Sequence, residues 1–435
     1  MSDDLTLVKN HKLNMYFFLA MALVLLVIAF VSTEPTLLFE GLRQIYSIPC
    51  QLFTDFVAVG GFGATLVNVA LVMLFELGII HFSKATITGP SLAALLTTAG
   101  FAFFGTSLFN MIPIVLGVMA YSRIEKIPLR TLLLQAFMGS AIGPLVNFIA
   151  YGIGLDLSTS LPLAMLIGFL VGLIIPALSS SFLRFHNGYN LYNIGFTCGI
   201  IGLVLVAIFQ LNGIDVEPLS ILDTEHRTQL ILLVLAISLG LLLFGLILNK
   251  GNLREYPKLL ESSGRLLSDY VVTFGSGLTL INMGIMGLLS LAFVLLLRGP
   301  VNGPIVGAML TIAGFGALGK HPRNCLSVML GSTIACYFHK DFTSSSAIVT
   351  ILFGTTLAPI AGRYGVFAGL IAGYLHIAVV GHILPLHGGI NLYNNGFSGG
   401  FVAAVMVPLI EVGRNVIERS KKDVQTRISE NEQHR

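Results

Sequence analysis

Apolar residues run uninterrupted along this chain instead of alternating with polar ones. Stretches such as Leu13 to Val31, Phe56 to Phe75 and Leu230 to Leu248 reach the roughly 20 residues a helix needs to cross a bilayer. A membrane barrel would instead show ten-residue strands with a period of two. The pattern therefore predicts helices, the structure that satisfies its own backbone polar groups in lipid. Seven apolar segments fill the first half, at residues 13–33, 54–81, 88–104, 107–122, 130–154, 161–184 and 191–211. The predicted fold class is an all-α polytopic membrane protein.

The polar punctuation repeats. The phrase HNGYNLYNIGF, from His186 to Phe196, returns as HGGINLYNNGF from His387 to Phe397. Thr54 to Asn68 lies over Ser268 to Asn282 with 7 of 15 residues identical, and Ile87 to Asn110 over Val301 to Asn324 with 10 of 24. The offset is 214 there, 215 at Gly139 and Gly354, and 201 at the NLYN phrase, so the first copy carries an insertion near Asn147 to Leu161. Asn14 to Thr33 likewise maps onto Thr228 to Ile247. Identity this far above the roughly one-tenth expected of unrelated apolar helices marks a duplication.

Seven segments per copy is an odd number, which places the two copies in opposite orientations. With the N-terminus inside and sides alternating, 20 of the 24 Lys and Arg residues fall on the cytoplasmic side, and Arg43, Arg227, Arg298 and Lys340 fall outside, as the positive-inside rule requires. The expected organisation is an inverted-topology repeat: a cytoplasmic N-tail at 1–12, repeat 1 at 13–211, an acidic external connection at 212–227, repeat 2 at 228–410 with a cytoplasmic linker at 249–267, and a charged cytoplasmic C-tail at 411–435. Some segments are expected to be re-entrant or broken. VSTEPT after the first run offers no convincing cleavage site, so that helix reads as retained.

Composition agrees: 55% of residues are hydrophobic and only 10% charged, against about a quarter charged in soluble domains. The expected location is the plasma (inner) membrane, with the lipid bilayer as partner. The net charge of +3 comes from cations beside membrane segments, with no patch suited to nucleic acid. Cys50, Cys198, Cys325 and Cys336 have no metal or disulfide spacing. No P-loop is present, and no cofactor or metal is expected.

Inverted repeats place a site near the midplane, and many secondary transporters line it with broken or short helices. Two matched features fit. Gly89-Pro90 and Gly303-Pro304 each open a segment of about sixteen residues, some 24 Å of helix, short of the roughly 30 Å hydrocarbon core. The NLYN phrases supply Asn190, Tyr192, Asn193, Asn391, Tyr393 and Asn394, whose amides and hydroxyls must face protein or water. The candidate substrate-binding set is therefore Asn190, Tyr192, Asn193, Asn391, Tyr393, Asn394, Gly89, Gly303, Asn68 and Asn282. The competing explanation makes these residues helix caps and interhelical hydrogen bonds. Glu76, opposite Ser290, and His376, opposite Ile175, are costly intramembrane ionisable groups and candidates for ion or proton coupling. Asp55 and Asp269 stand where an acid favours a helix N-terminus. GFLVG at Gly168 and Gly172, and GLIAG at Gly369 and Gly373, read as close-packing surfaces, within one chain or in a homo-oligomer.

The expected function is transport of a small polar solute or ion, with passive channel activity as the alternative. A membrane-embedded metal enzyme using His376, His382 and His387 is disfavoured by their spacing, and the chain is expected not to be an enzyme. Over nearly its whole length, most clearly in the two NLYN phrases and the paired GP segments, the chain resembles an uncharacterised bacterial membrane-protein family, a domain of unknown function. It is similar more weakly to urea transporters, through Tyr192, Asn193 and Gly199 and through Tyr393, Asn394 and Gly400. Their LPxxTxPF signature is missing, so no urea-binding residue carries over.

Overall fold

The computed structural model describes residues 2–217, 219–338 and 342–433. Lys340, counted above as external, lies outside the described residues. The first half comprises α1 (Ser2–Ser32), α2 (Pro35–Ser47), α3 (Phe56–Gly60), α4 (Phe62–Phe82), α5 (Gly89–Phe101), α6 (Leu108–Ile124), α7 (Leu133–Met138), α8 (Gly143–Tyr151), α9 (Leu157–Phe185) and α10 (Asn193–Leu211). The second comprises α11 (Arg227–Leu248), α12 (Tyr256–Glu261), α13 (Tyr270–Leu296), α14 (Gly303–Phe315), α15 (Pro322–Phe338), α16 (Ser345–Gly354), α17 (Ala358–Tyr364), α18 (Val366–Val380), α19 (Leu384–His387) and α20 (Asn394–Gln433). A two-residue parallel bridge joins β1 (Phe53–Thr54) to β2 (Ser220–Ile221). The protein is all-α, and nine helical stretches among the described residues are long and apolar enough to cross a membrane.

Burial follows a lipid solvent. On α1, Phe18, Ala22, Leu25 and Ala29 are buried, a helical stripe at spacings of three and four, while Val24, Val27, Phe30 and Val31 on the other face are exposed. A water-soluble helix would be polar there; this one is apolar all round because its outer face meets hydrocarbon. Helices α5 and α14 are enclosed by protein, and every residue of α14 is buried.

Close glycine contacts recur in register. A Cβ added at Gly172 of α9 would sit 2.0 Å from Ile114 O of α6, and one at Gly373 of α18 would sit 2.1 Å from Val328 O of α15. Gly117 and Gly331 answer from the facing helices, 2.1 and 2.0 Å from Phe169 O and Leu370 O. The GFLVG and GLIAG patterns are thus crossing points where only hydrogen fits.

The segmentation departs from the sequence pattern in three places. The apolar stretch at 130–154 is interrupted: a 3₁₀ turn at Gly139–Ile142 separates α7 from α8, and Thr355–Leu357 separates α16 from α17. Each GP-opened helix is thirteen residues long, shorter than the sixteen expected. Two helices, α2 and α12, lie in regions without a predicted segment, because Arg43 and Lys258 interrupt hydropathy without preventing helix formation. Gly61 and Gly275, 214 positions apart, take φ of 84° and 82° and break their helices at the same point, a conformation costly for any residue with a Cβ.

Candidate functional site

The short helices are held by reciprocal caps. Gly303 N, opening α14, donates to Asp55 Oδ2 at 2.8 Å, and Gly89 N, opening α5, donates to Asp269 Oδ1 at 3.0 Å. Each aspartate also caps its own helix, accepting from Val57 N at 2.9 Å and from Val272 N at 3.1 Å. A carboxylate is favoured there by the unpaired amides and the helix dipole. The C-terminal ends are held as symmetrically. Asn68 Nδ2 donates to Ala102 O and Thr106 O, both at 2.9 Å, and Asn282 Nδ2 to Gly316 O and Lys320 O at 2.7 and 2.8 Å. Both NH2 groups are therefore spent on backbone, while Asn282 Oδ1 accepts from Tyr256 OH at 3.2 Å and Asn68 Oδ1 has no partner. Between these ends α5 and α14 touch directly, since a Cβ at Gly100 would meet Gly307 O at 2.8 Å.

The NLYN turns cross between halves. Leu191 N donates to Thr356 O at 3.0 Å, and Leu392 N donates to Ala141 O at 2.8 Å, so each turn docks into the other half's helix break and satisfies a carbonyl freed there. Asn190 Nδ2 donates to Gly396 O at 2.8 Å, and Asn391 Nδ2 to Gly195 O at 3.5 Å. Each asparagine also folds its own turn, accepting from Tyr192 N at 3.2 Å and Tyr393 N at 3.0 Å, the Asx geometry that suits this residue. Tyr192 and Tyr393 stack with centroids 4.3 Å apart. Each then meets the far end of the other half's short helix, Tyr192 against Phe315 at 4.8 Å and Tyr393 against Phe101 at 4.7 Å.

The ten candidate substrate-binding residues are not brought to one place. Asn190, Asn391 and the tyrosines form the centre, Asn68 and Asn282 brace the short helices, and Gly89 and Gly303 lie at the remote starts of those helices. Asn193 bonds His186 Nε2 at 3.0 Å and donates to Ser179 O at 3.0 Å, whereas Asn394 accepts from Asn395 Nδ2 at 2.7 Å.

The buried ionisable groups break this symmetry. Glu76 is fully buried and accepts from Thr98 Oγ1 at 2.6 Å, while its other oxygen has no partner. His376, fully buried, contacts Asn395 Oδ1 at 2.9 Å and Ser398 Oγ at 3.1 Å; the corresponding positions to His376 and Asn395 in the first half are Ile175 and Ile194. A third group was not anticipated. Lys320 is 0% exposed, and its Nζ donates to Tyr192 OH and, at 2.7 Å, to Thr355 Oγ1. Every other Lys or Arg whose side chain is described is exposed. The available signal was its match to Thr106 at offset 214, a neutral residue opposite a cation.

A cavity of about 250 Å³ is lined by Gln135, Ser179, Ser180, Asn193, Tyr192 and Tyr393 among others. A second, of about 540 Å³, is lined by the matching elements of the other half, including Thr350, Val380 and Gly381. Under the repeat these three correspond to Gln135, Ser179 and Ser180, yet neither tyrosine lines the second cavity. Among the described residues no group of three His, Cys, Asp or Glu is placed to hold a metal.

A family model described as a protein of unknown function, DUF1576, matches residues 34–211 and 248–412. No curated protein and no solved structure matches the chain.

Proposed function

The chain belongs to the DUF1576 family of proteins of unknown function, and from that premise we propose that it is a secondary transporter moving a small polar solute or ion through a site between two inverted repeats. The reciprocal contacts support a two-fold relation, because residue i meeting j′ while i′ meets j is the mark of an isologous pair. The caps support inversion. Asp55 precedes α3 and α4, Gly89 follows α4, and α4 is 21 residues long, about 31 Å. Asp269, the repeat equivalent of Asp55, sits against Gly89, so equivalent residues lie at opposite ends of one transmembrane helix.

The observation that carries transport is the unequal pair of cavities. Two cavities are lined by repeat-related elements, and only the first is lined by Tyr192 and Tyr393. Alternating access works through such a difference, one half adopting the conformation the other will take next. The buried tyrosine stack beside the first cavity favours this gated mechanism over a passive urea-like channel. Glu76 and His376, each without a counterpart, are the proposed coupling groups.

The experiment is solute uptake into proteoliposomes, with and without proton or sodium gradients. Saturable uptake should be driven by one gradient and abolished by replacing Asn193 and Asn394 together with Ala, the variant remaining folded and inserted. Uptake that is equal in protein-free vesicles removes the transport reading. Uptake that persists in the double variant removes these two residues from the path.

A further inference from the structure

We propose that Lys320 is the ligand-binding cation of the interface site, and that the solute is a compact oxyanion, a small carboxylate or an inorganic anion of similar size. The inference rests on the transport reading and gives its substrate a charge.

Lys320 lacks what buried cations normally have. No carboxylate among the described residues lies within 4.0 Å of its Nζ; Glu76 is instead bonded to Thr98. Its two hydrogen-bond partners are neutral hydroxyls, and it lies against the faces of Tyr192 and Phe315, 4.4 and 5.3 Å to the ring centroids, and near the buried Cys325 thiol. The C-terminal carbonyls of α14 supply roughly half a negative charge, which leaves the ammonium uncompensated in a medium where an unpaired charge costs several kcal/mol.

The surroundings are rich in donors and poor in acceptors. Lysine carries three donors, of which two are used. Tyr192 OH accepts from Lys320 and lies beside the Thr355 hydroxyl, so the cluster is built from neutral hydroxyls around one amine. Tyr393 OH, fully buried, lies against the hydroxyls of Thr97 and Thr311, neutral groups that bring no charge to the cluster. Urea brings four N–H donors and one carbonyl oxygen and would leave the donors of the cluster unsatisfied. An oxyanion brings a surplus of acceptors and the missing charge. The 250 Å³ cavity that Tyr192 and Tyr393 help to line gives the approach. Lys320 does not line it and is reached past Tyr192. The cavity's volume, below that of pockets for drug-sized ligands, suits a compact solute. Thr106 holds the equivalent place in the first half, so the anion site is single.

The test is thermal unfolding of the full chain in detergent, read with a thiol-reactive dye, since the protein has no Trp and four buried cysteines. The probes are sodium formate, acetate, bicarbonate, nitrate and phosphate against urea and glycerol, at constant ionic strength. At least one oxyanion should raise the midpoint saturably, as a ligand specific to the folded state must. Lys320→Arg should keep the response. Lys320→Met should weaken the apparent affinity at least tenfold while unfolding at the same temperature as the parent or higher, because an apolar isostere relieves a buried charge. No response to any oxyanion, a response to urea or glycerol alone, or an oxyanion response that survives in Lys320→Met overturns the proposal. Proteoliposome flux separates the two readings. Urea flux unchanged by Lys320→Met sinks the anion and leaves transport standing, whereas oxyanion binding without flux sinks transport and leaves the anion site.

Discussion

One carboxylate, Asp55, holds three backbone amides from three parts of the chain: Val57 N, Gly303 N and Asp223 N. Its repeat equivalent, Asp269, holds two, Val272 N and Gly89 N. Unsatisfied buried donors cost about 1–3 kcal/mol each, with partial relief as neighbours relax. Asp55→Ala should therefore destabilise by about 2–4 kcal/mol and Asp269→Ala by about 1–3 kcal/mol, read as midpoints of thermal unfolding in detergent. Within those ranges Asp55→Ala should lose more than Asp269→Ala by about one donor's worth, about 1 kcal/mol; a larger loss at Asp269 would contradict the cap count. His376 and Asn395 offer a sharper comparison. His376→Ile alone leaves Asn395 Oδ1 buried without its ring partner, while His376→Ile with Asn395→Ile restores the residues the first half uses. The double variant should be more stable than the single one by about 1–2 kcal/mol. At this scale the sequence was legible wherever a charge interrupts an apolar run, as at Glu76 and His376. Lys320 was hidden because GKHPRN reads as a loop at the membrane boundary, and only packing separates Lys320, buried, from Arg323, exposed.

Helices are joined here by two kinds of glycine, and they should respond differently to the same methyl group. Gly172 and Gly373 are helical and lack space: a Cβ would lie 2.0 and 2.1 Å from a backbone oxygen of the facing helix. Gly61 and Gly275 have space, with nothing within 4 Å, but take positive φ. Gly61→Ala should cost about 1–2 kcal/mol of backbone strain. Gly172→Ala must push α6 and α9 apart and should cost more, about 3 kcal/mol as overpacking does, with a lower yield of monodisperse protein as the first sign. A smaller loss at Gly172 than at Gly61 would mean that the crossing is looser than it looks. The packing glycines were readable from their spacing of four. The helix breaks at Gly139 and Gly354 were not, because hydropathy is continuous through them, and the carbonyls they free are answered from the other half by Leu392 and Leu191. A repeat alignment compares each copy with the other and carries no information about which copy's turn enters which copy's break.

Over the whole molecule, the orientation of the halves decides whether two cavities flank one site or merely lie in one protein. Lys84 and Arg298 are suited to ask this. They are repeat equivalents at offset 214, Lys84 follows α4 and Arg298 follows α13, both are exposed, and both take the same left-handed turn, at φ of 54° and 55°. The positive-inside count puts Lys84 in the cytoplasm and Arg298 outside. In a background with the native cysteines replaced by Ser, Lys84→Cys and Arg298→Cys are treated with a membrane-impermeant maleimide, first on intact cells and then on opened ones. Arg298→Cys should label in intact cells and Lys84→Cys only after opening. Both substitutions lie at exposed turns and remove no buried contact, so altered folding should not confuse the result. Labelling of both from one side would place the halves in parallel. Because Asp55 and its equivalent Asp269 lie at opposite ends of α4, that result would mean that α4 does not cross the membrane, and the two cavities would have no alternation between them.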